Sequence, residues 1–418
     1  MNYTRMPIEA ESPEEYGYDN IKYNLSESSV TDLTLAEALG LSGDGASPSA
    51  AEALSKLVLL YTVHAGHADL RTAISKLYPE RERPNPDDII VTPGAVAALF
   101  MVNTALVGKE DHLVVHSPNY ATNIHVPVNT IGAKVSFVDL THENGFTSSW
   151  QDFAQKIQPN TKLLSLTSPH NPSGISQNNL LTDIVENVLP QAQHSNLFVL
   201  SDETYRFFVD FDICSAVSAP AAAAGAAQDH HARANYAESD RVIRIASLSK
   251  FCGLPGIRIG WIICRNAAFK TKMLAAKEQI LISGSVLDEA VATIFLTSTL
   301  PKIIPTIKAR VTANYTFFRQ WCNSNKDILD VVDPGGASVV CFARVHGFDK
   351  SPFDLKEFHR MLLEDHSTFV GPGRWFSGYS DHYFRIGFGY PSLEQLSKGL
   401  ENIKISVLAM REKAAKAN

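Results

Sequence analysis

A lysine that follows a predicted buried strand is the residue of this sequence most suited to covalent chemistry. Lys250 comes shortly after the β-branched run Val242–Ile245. An amine partly removed from water is a good nucleophile towards carbonyl groups, as in lysines that form Schiff bases. Ser247 and Ser249 precede it and Arg258 follows, and hydroxyl groups with a guanidinium suit a phosphate monoester. The pattern predicts a Schiff-base lysine beside a phosphate site; the alternative is a surface lysine in a glycine-rich turn.

Polar side chains follow two other strand-like runs at the point where each run ends. Asp202 and Tyr205 come after Leu197–Leu200, and Asn171 comes after Leu163–Leu166. The carboxyl ends of parallel strands meet at one edge of a sheet, where ligands bind. A carboxylate there can pair with a protonated ring nitrogen, and a tyrosine three residues on can reach a phenolic oxygen. The constrained Asn-Pro and Ser-Gly turn can aim the Asn171 amide at the same ligand.

Two weaker signals lie near the ends of earlier strands. The turn Thr92–Val96 joins a strand to the start of a helix, whose free N–H groups and dipole form an anion site. Many strand–helix turns have this composition, so the turn alone decides little. Tyr120 also follows a strand and is able to stack on an aromatic ring, although a lone aromatic in such a loop is more often simply packed.

The elements that must position these residues alternate between strand and helix. The strand-like runs are Ile89–Val91, Leu113–Val115, Lys134–Val138, Leu163–Leu166, Leu197–Leu200, Val242–Ile245 and Gly260–Ile263. Because helical stretches separate them, they indicate βαβ units and a mostly parallel sheet covered on both faces. Apolar stripes also predict helix over residues 50–78.

The last part of the chain has a different organisation. A long helical region is predicted from about residue 265 to 325. A smaller α+β unit follows, with strands near Ser338–Val345 and Tyr383–Gly387 and helices near Leu355–Glu364 and Leu393–Ala414. Residues 216–240 have few large apolar side chains and are predicted to form an exposed insertion. Its pair His230 and His231 is interpreted as solvated histidines rather than metal ligands.

Composition bounds the class of protein. The chain has 418 residues, more than one ordinary domain, with the 45% hydrophobic and 19% charged content of a globular protein. A net charge of -7 argues against a nucleic-acid binder. No apolar run reaches the roughly 18 residues of a membrane helix, and the acidic start differs from a secretory signal. The 5 cysteines form no C-x-x-C pair, so we expect no zinc motif and a cytoplasmic location.

Eight short motifs, in a fixed order between Tyr61 and Arg385, carry a resemblance to a known family. They are Y-x4-G-x3-LR-x-AI from Tyr61, T-x-GA from Thr92, P-x-Y from Pro118, NP-S/T-G from Asn171, D-E-x-Y from Asp202, S-x-SK from Ser247, G-x-R-x-G from Gly256 and F-R-I from Phe384. The sequence resembles the fold-type I pyridoxal phosphate (PLP) enzymes of the class I/II aminotransferase family over roughly three quarters of its length. Each motif is modest alone, and their shared order makes coincidence very improbable.

The resemblance implies a fold and an assembly. The fold class would be α/β, with a large domain built on a mostly parallel seven-stranded sheet and a smaller α+β C-terminal domain. Residues 1–50 would form an N-terminal arm and the start of the small domain, 51–300 the large PLP-binding domain, and 301–418 the small domain. The enzyme would be a homodimer with shared active sites.

The resemblance also implies roles around the cofactor. Lys250 would hold PLP as a Schiff base and then act as the base, and Asp202 would keep the pyridine nitrogen protonated. Tyr205 and Asn171 would bind the phenolate oxygen, and Tyr120 would stack on the ring. The phosphate ligands would be Ser247, Ser249, Arg258, the backbone of Ala95 and Val96, and Tyr61 from the neighbouring subunit.

On the substrate side, Arg385 would grip the α-carboxylate, and Asn171 and the arm residues Ser26 and Glu27 would also contact the substrate. Four departures from the family pattern fall here. Glu27 brings an acid where a small neutral residue is common, Asn123 replaces an aromatic, and the aromatic that often follows the double glycine near residue 336 is missing. The fourth is the insertion at 216–240, which lengthens the gap between Asp202 and Lys250. These departures leave the cofactor contacts intact.

Three functions stay open at this point. The first is an aminotransferase that moves an amino group between an amino acid and a 2-oxo acid. The second is a PLP-dependent cyclase, lyase or oxidase on the same scaffold, acting on a basic amino acid such as arginine, for which an acid at Glu27 would be suitable. The third is a non-catalytic PLP-binding relative, which has no physical need for all five of Lys250, Asp202, Tyr205, Asn171 and Arg385.

Overall fold

The computed structural model of the chain describes residues 5–41, 49–177, 179–192, 196–211, 235–346, 354–376 and 383–417. Most of the predicted insertion, including His230 and His231, lies outside these residues, as does Cys214.

The strands β1 to β13 fall into three sheets. In chain order they are Tyr23–Asn24, Ile89–Thr92, His112–Ser117, Lys134–Asp139, Thr161–Thr167, Phe198–Asp202, Val242–Ser247, Gly260–Cys264, Leu329–Val331, Val340–Val345, Thr368–Phe369, Gly371–Pro372 and Tyr383–Gly387. The seven runs predicted from β-branched and apolar residues are β2 to β8.

The central sheet has seven strands in the order β2-β8-β7-β6-β5-β3-β4. Only β8 is antiparallel to its neighbours; the other pairings are parallel. Residues of β2, β3, β6, β7 and β8 are buried on both faces, which explains the continuous apolar runs in all of them except β7, where Arg244 interrupts the run. The predicted mostly parallel seven-stranded α/β sheet is therefore confirmed.

The smaller sheets join the ends of the chain. An antiparallel sheet has the order β12-β13-β10-β9, and β1 of the arm pairs in parallel with β11. This pairing places the arm beside the C-terminal unit. The strands β1, β9, β11 and β12 went unpredicted because two or three residues carry no readable period. The domain boundaries at 50 and 300 stay a prediction, since one hydrophobic core includes residues from all three ranges.

The helices cover the central sheet and frame the C-terminal unit. They are Pro7–Ala10, Pro13–Tyr16, Leu35–Ala38, Ser49–Ser55, Ala68–Ser75, Gly94–Leu106, Thr122–His125, Trp150–Ala154, Leu180–Asn187, Arg206–Asp210, Asn235–Glu238, Ala267–Leu281, Val286–Ile294, Leu300–Ser324, Leu355–Glu364 and Leu393–Ala417. The predicted helix over 50–78 is wrong in its middle, because residues 57–67 are not helical and Tyr61 is 73% exposed. A stripe read as a buried helical face is instead an exposed apolar segment.

One helical segment is long and apolar enough, by length and composition alone, to cross a membrane. Val286–Ser324 contains an 18-residue window with a mean hydropathy of 1.4. The sequence predicted no such helix, because polar residues interrupt the apolar run in this segment. Phe295, Leu300 and Val311 of this segment are buried in the same core as Trp261 of β8. These contacts are those of a helix packed in a protein core.

A buried network of charges lies beside the end of β6. Arg206 contacts Glu82 and also bonds Glu203, with 3.3 Å between Nη1 and Oε1, and Arg244 Nε donates to Glu203 Oε1 at 2.9 Å. Burial alone would raise the pKa of the Glu203 carboxyl, but Arg244 and Arg206 hold it below its ordinary value. The Tyr236 hydroxyl bonds to both Glu82 and Arg206. The prediction of an exposed insertion is thus wrong at its end, since the Asn235–Glu238 helix buries Tyr236 against this network.

We expect Glu203→Gln to lower the free energy of unfolding by about 3 kcal/mol, because it removes one charge from a buried ion network and leaves two guanidinium groups undercompensated. Denaturant unfolding at fixed protein concentration measures the change. Glu238→Gln is the control: its exposed pair with Arg265, 3.7 Å long, is expected to contribute under about 1 kcal/mol. Equal losses in the two variants would contradict a structural role for the network.

Candidate active site

The predicted site residues, apart from Tyr61, line one cavity of about 500 Å³ at the carboxyl ends of β6 and β7. They are Ser26, Glu27, Ala95, Val96, Tyr120, Asn171, Asp202, Tyr205, Ser247, Ser249, Lys250, Arg258 and Arg385. Asp202 is the last residue of β6 and Ser247 the last of β7. Tyr61 lies on the exposed segment and does not line this cavity.

Asp202 is a buried carboxylate at the base of the cavity. Its Oδ1 accepts hydrogen bonds from Thr204 N at 3.1 Å and from Thr204 Oγ1 at 2.6 Å. Burial raises the pKa of Asp202, and the Thr204 hydrogen bonds and the Asn123 amide act in the opposite direction. Among the described residues it forms no ion pair, so a cation in the cavity would complete its environment. Asn123, noted in the sequence as a departure, has a place here as a neighbour of Asp202.

A cluster of donors lies where β2 joins the helix Gly94–Leu106. No side chain caps the start of this helix, so the N–H groups of its first turn, including Ala95 and Val96, are open to an anion. Ser247 and Ser249 line the same cavity as Ala95 and Val96. Arg258, in a left-handed conformation with φ of 48°, donates to Pro255 O at 2.8 Å and Pro93 O at 3.3 Å.

Close backbone packing fixes this donor cluster. A Cβ on Gly260 would lie 2.5 Å from the carbonyl carbon of Gly94 and 2.7 Å from Ala95 N. A Cβ on Gly94 would lie 2.4 Å from Arg258 Nη2. The glycines of the T-x-GA and G-x-R-x-G motifs therefore let β8, the helix start and the Arg258 guanidinium come together.

The Tyr205 hydroxyl and the Asn171 amide both contact other protein groups. Tyr205 donates to Ser28 Oγ at 2.8 Å, and Asn171 Oδ1 accepts from Arg385 Nη1 at 2.8 Å. Their joint binding of a phenolate oxygen stays a prediction. Ser28 went unrecognised as a site residue, because a serine in a polar arm carries no signal in the sequence.

Arg385 is a buried cation without an acidic partner. Its side chain donates to Asn171 and, from Nη2, to Ser26 O at 2.6 Å, and it lies over the Phe376 ring. Its Nε has no hydrogen-bond partner, and no carboxylate forms an ion pair with it among the described residues. Burial lowers the pKa of Arg385, and the charge of Glu27 acts in the opposite direction without forming an ion pair. This arrangement is suited to a carboxylate ligand.

The N-terminal arm closes one side of the cavity. The Tyr120 hydroxyl donates to Glu9 Oε1 at 3.1 Å, and burial raises the pKa of this phenol. Met6, Glu14 and Tyr18 also line the cavity. Sequence reasoning considered Tyr18 as a pocket residue but missed Met6 and Glu14, because the helices in this part of the arm have four residues and no periodicity reveals their positions. No cluster of three or more metal-ligating side chains occurs in the described part of the chain.

Comparison with known proteins agrees with this geometry. Residues 28–403 match the family model described as aminotransferase class I and II. The chain belongs to this family. A probable N-acetyl-LL-diaminopimelate aminotransferase of Bacillus subtilis is 27% identical to this aminotransferase, over 92% of the chain and 90% of the relative. Capreomycidine synthase of Streptomyces vinaceus is 28% identical over the same two shares.

Solved structures agree as well. A PLP-dependent aminotransferase from Streptococcus suis matches with a TM-score of 0.81 and 25% identity, covering 98% of this chain and 99% of that one. The chain is accordingly a PLP-dependent transferase with the type I fold, and PLP is its cofactor. The cavity fits this group: an uncapped helix start with Ser247, Ser249 and Arg258 suits the phosphate, and the unpaired Asp202 carboxylate suits a ring cation.

We expect Gly260→Ala to weaken PLP binding roughly tenfold to hundredfold, because the added methyl displaces the backbone of Gly94 and Ala95 from the phosphate. Titration of the apoenzyme with PLP, followed by absorbance, measures this. The matched control is Gly256→Ala in the same motif, where an added Cβ meets no atom within 4 Å. Unchanged affinity in Gly260→Ala, with the protein folded, would contradict the assignment of the phosphate cluster.

Proposed function

We propose that this PLP-dependent aminotransferase uses Lys250 to move a proton at the substrate Cα during transfer of an amino group between an amino acid and a 2-oxo acid. The observation that carries the proposal is the meeting of Lys250, Asp202 and Arg385 at one cavity, although the three residues come from separate parts of the chain. The Lys250 amine makes no hydrogen bond among the described residues, so it is available to the ligand.

In this proposal the chain's own residues hold the cofactor and orient the substrate. Lys250 anchors PLP covalently, Asp202 holds the ring nitrogen as a cation, and Tyr205 and Asn171 bind its phenolic oxygen. Tyr120 lies against the ring. Ser247, Ser249, Arg258 and the helix start at Ala95 and Val96 bind the phosphate.

When bound, PLP supplies an electron sink that makes the substrate Cα–H bond acidic. Lys250 takes the proton from the substrate Cα and delivers it to C4′ of the cofactor. Arg385 binds the substrate α-carboxylate through the edge that carries Nε, and Asn171 keeps that guanidinium in place. The arm excludes water from the reacting atoms through contacts such as that between Tyr205 and Ser28.

We further propose a cytoplasmic homodimer with shared sites. Val58, Leu59, Leu60, Tyr61 and Val63 are each at least 59% exposed, which is unusual for neighbouring apolar residues. A second copy of the chain that covers this segment would bring Tyr61 to the phosphate site of its partner. The cysteines of the described residues are unpaired, which supports a reducing compartment.

A cyclase, lyase or oxidase on this scaffold is the second candidate, and one relative, capreomycidine synthase, is named as a synthase rather than as an aminotransferase. The same residues would hold the cofactor and move the Cα proton. The two functions differ in the fate of the amino group, which an aminotransferase passes to a 2-oxo acid. A non-catalytic PLP-binding relative is the third candidate, and the Lys250 amine argues against it, because this amine forms no hydrogen bond or ion pair among the described residues.

We expect the purified enzyme to be yellow, with an absorbance band of covalently bound PLP that Lys250→Ala abolishes and that Lys22→Ala, on the exposed arm, leaves unchanged. An amino donor should convert the band, and a 2-oxo acid should restore it. Absorbance spectra of both half-reactions measure this. Oxygen consumption, or ammonia release without an acceptor, would instead identify the second candidate, and an enzyme that takes up no added PLP would contradict the whole proposal.

We expect Leu60→Glu to shift the enzyme from dimer to monomer and to weaken PLP binding by about tenfold or more, since a buried charge without a partner opposes association and Tyr61 leaves the shared site. Sedimentation and PLP titration measure the two effects. Leu408→Glu, at a position 41% exposed on the C-terminal helix, is the control. A dimer that persists in Leu60→Glu would exclude the segment 58–63 as its interface.

A further inference from the structure

We propose that the amino-donor substrate carries a positive charge at the end of its side chain, bound by the carboxylates of Glu27, Asp32 and Glu14. This inference rests on the proposed function, because it assigns the substrate class of the same site. All three carboxylates line the cavity that contains Lys250 and Arg385.

Backbone contacts hold Glu27 beside the group that binds the α-carboxylate. The carbonyl of the preceding residue, Ser26, accepts from Arg385 Nη2 at 2.6 Å. A Cβ on Gly387 would lie 1.8 Å from Glu27 O, so this glycine allows the arm to pack directly on β13. The Glu27 carboxylate makes no hydrogen bond or ion pair among the described residues, and it is therefore free to bind a ligand.

Asp32 and Glu14 extend this acidic wall. Two residues before Asp32, Val30 N donates to Lys250 O at 3.0 Å, which ties this part of the arm to the lysine. Glu14 Oε1 accepts from the Tyr18 hydroxyl at 2.9 Å. Burial raises the pKa of Asp32 and the charges of Glu27 and Glu14 raise it further, whereas Lys250 and a hydrogen bond with Tyr390 act in the opposite direction. The carboxylates therefore repel one another.

The cations that line the cavity are already committed in the proposed function. Arg258 binds the phosphate, Arg385 the α-carboxylate and Lys250 the cofactor. In the resting enzyme, where Lys250 would be bound to the cofactor, the wall of Glu14, Glu27 and Asp32 has no free amine facing it when the amino donor arrives. A cationic side chain of the substrate would take that place.

Arg385 supplies an independent sign that a ligand of defined charge binds here. Its side chain is 4% exposed, and its Nε has no partner, which leaves a buried cation to be completed by a carboxylate. A carboxylate at Arg385 and a cation at Glu27 describe an α-amino acid with a basic side chain. A dicarboxylic amino acid would meet repulsion from the same wall, and a neutral one would lack the second anchor.

The experiment compares amino donors of three charges in the holoenzyme half-reaction. The probes are L-arginine and L-ornithine, the neutral L-norleucine, and the anionic L-glutamate. We expect kcat/KM for the basic donors to exceed that for norleucine by more than about tenfold, with glutamate the poorest donor. Equal values for basic and neutral donors, or a preference for glutamate, would overturn the inference.

Variants then test the carboxylates themselves. We expect Glu27→Gln to lower the ratio of basic to neutral donor activity about tenfold, mainly through the KM of the basic donor, and Asp32→Asn to lower it in the same direction. Asp19→Asn, an equal change of charge on the arm but outside the cavity, should leave the ratio as it is. An unchanged ratio in both cavity variants would overturn the assignment. If no donor of any charge converts the PLP band, the proposed function itself fails.

Discussion

The buried guanidinium of Arg385 joins three distant parts of the chain. It extends from β13 near the C-terminus and donates to Ser26 in the arm and to Asn171 after β5 of the central sheet. Because this guanidinium is only 4% exposed, most of its N–H groups must donate hydrogen bonds if it is to remain buried. Two of its nitrogens meet that need within the protein, and Nε does not. Arg385 therefore holds the arm and both larger sheets together around the cavity. A substrate carboxylate would accept the hydrogen bond that its Nε does not make within the protein.

The end of β6 connects the cavity to the interior in a similar way. Asp202 and Glu203 are neighbours, and successive side chains of a strand point to opposite faces. Asp202 faces the cavity, whereas Glu203 bonds to Arg206 and Arg244 in the buried network. Those ion pairs hold Glu203 ionised in the interior, although burial disfavours the charge. The position of the Asp202 carboxylate therefore depends on packing that a ligand never touches.

The sequence was sufficient for the central sheet and for the residues at its edge. Runs such as Leu197–Leu200 are apolar on both faces because helices cover both, and parallel topology brings the carboxyl ends of such strands together, so Asp202 and Lys250 were predictable as residues of one cavity. Residues 57–67 were misread, since an exposed apolar segment has the composition of a buried helix when its partner surface is unknown. Ser28 was invisible for another reason, because its contact with Tyr205 joins residues 177 positions apart and no local pattern records such a pairing.

The cofactor residues were easier to predict than the substrate residues because the two groups lie on different kinds of element. The groups assigned to PLP lie on strand ends and on one helix start, where the sheet register fixes them and where the aminotransferase family shares its motifs. The groups assigned to the substrate side chain lie on the arm, held by a few contacts such as Leu25 N to Phe369 O and Gly387 N to Leu25 O. A change at Glu27 leaves the sheet undisturbed, whereas a change at Gly260 moves the phosphate site. The chemistry of the reaction is therefore constrained by the core, and the choice of substrate is free to vary with the arm.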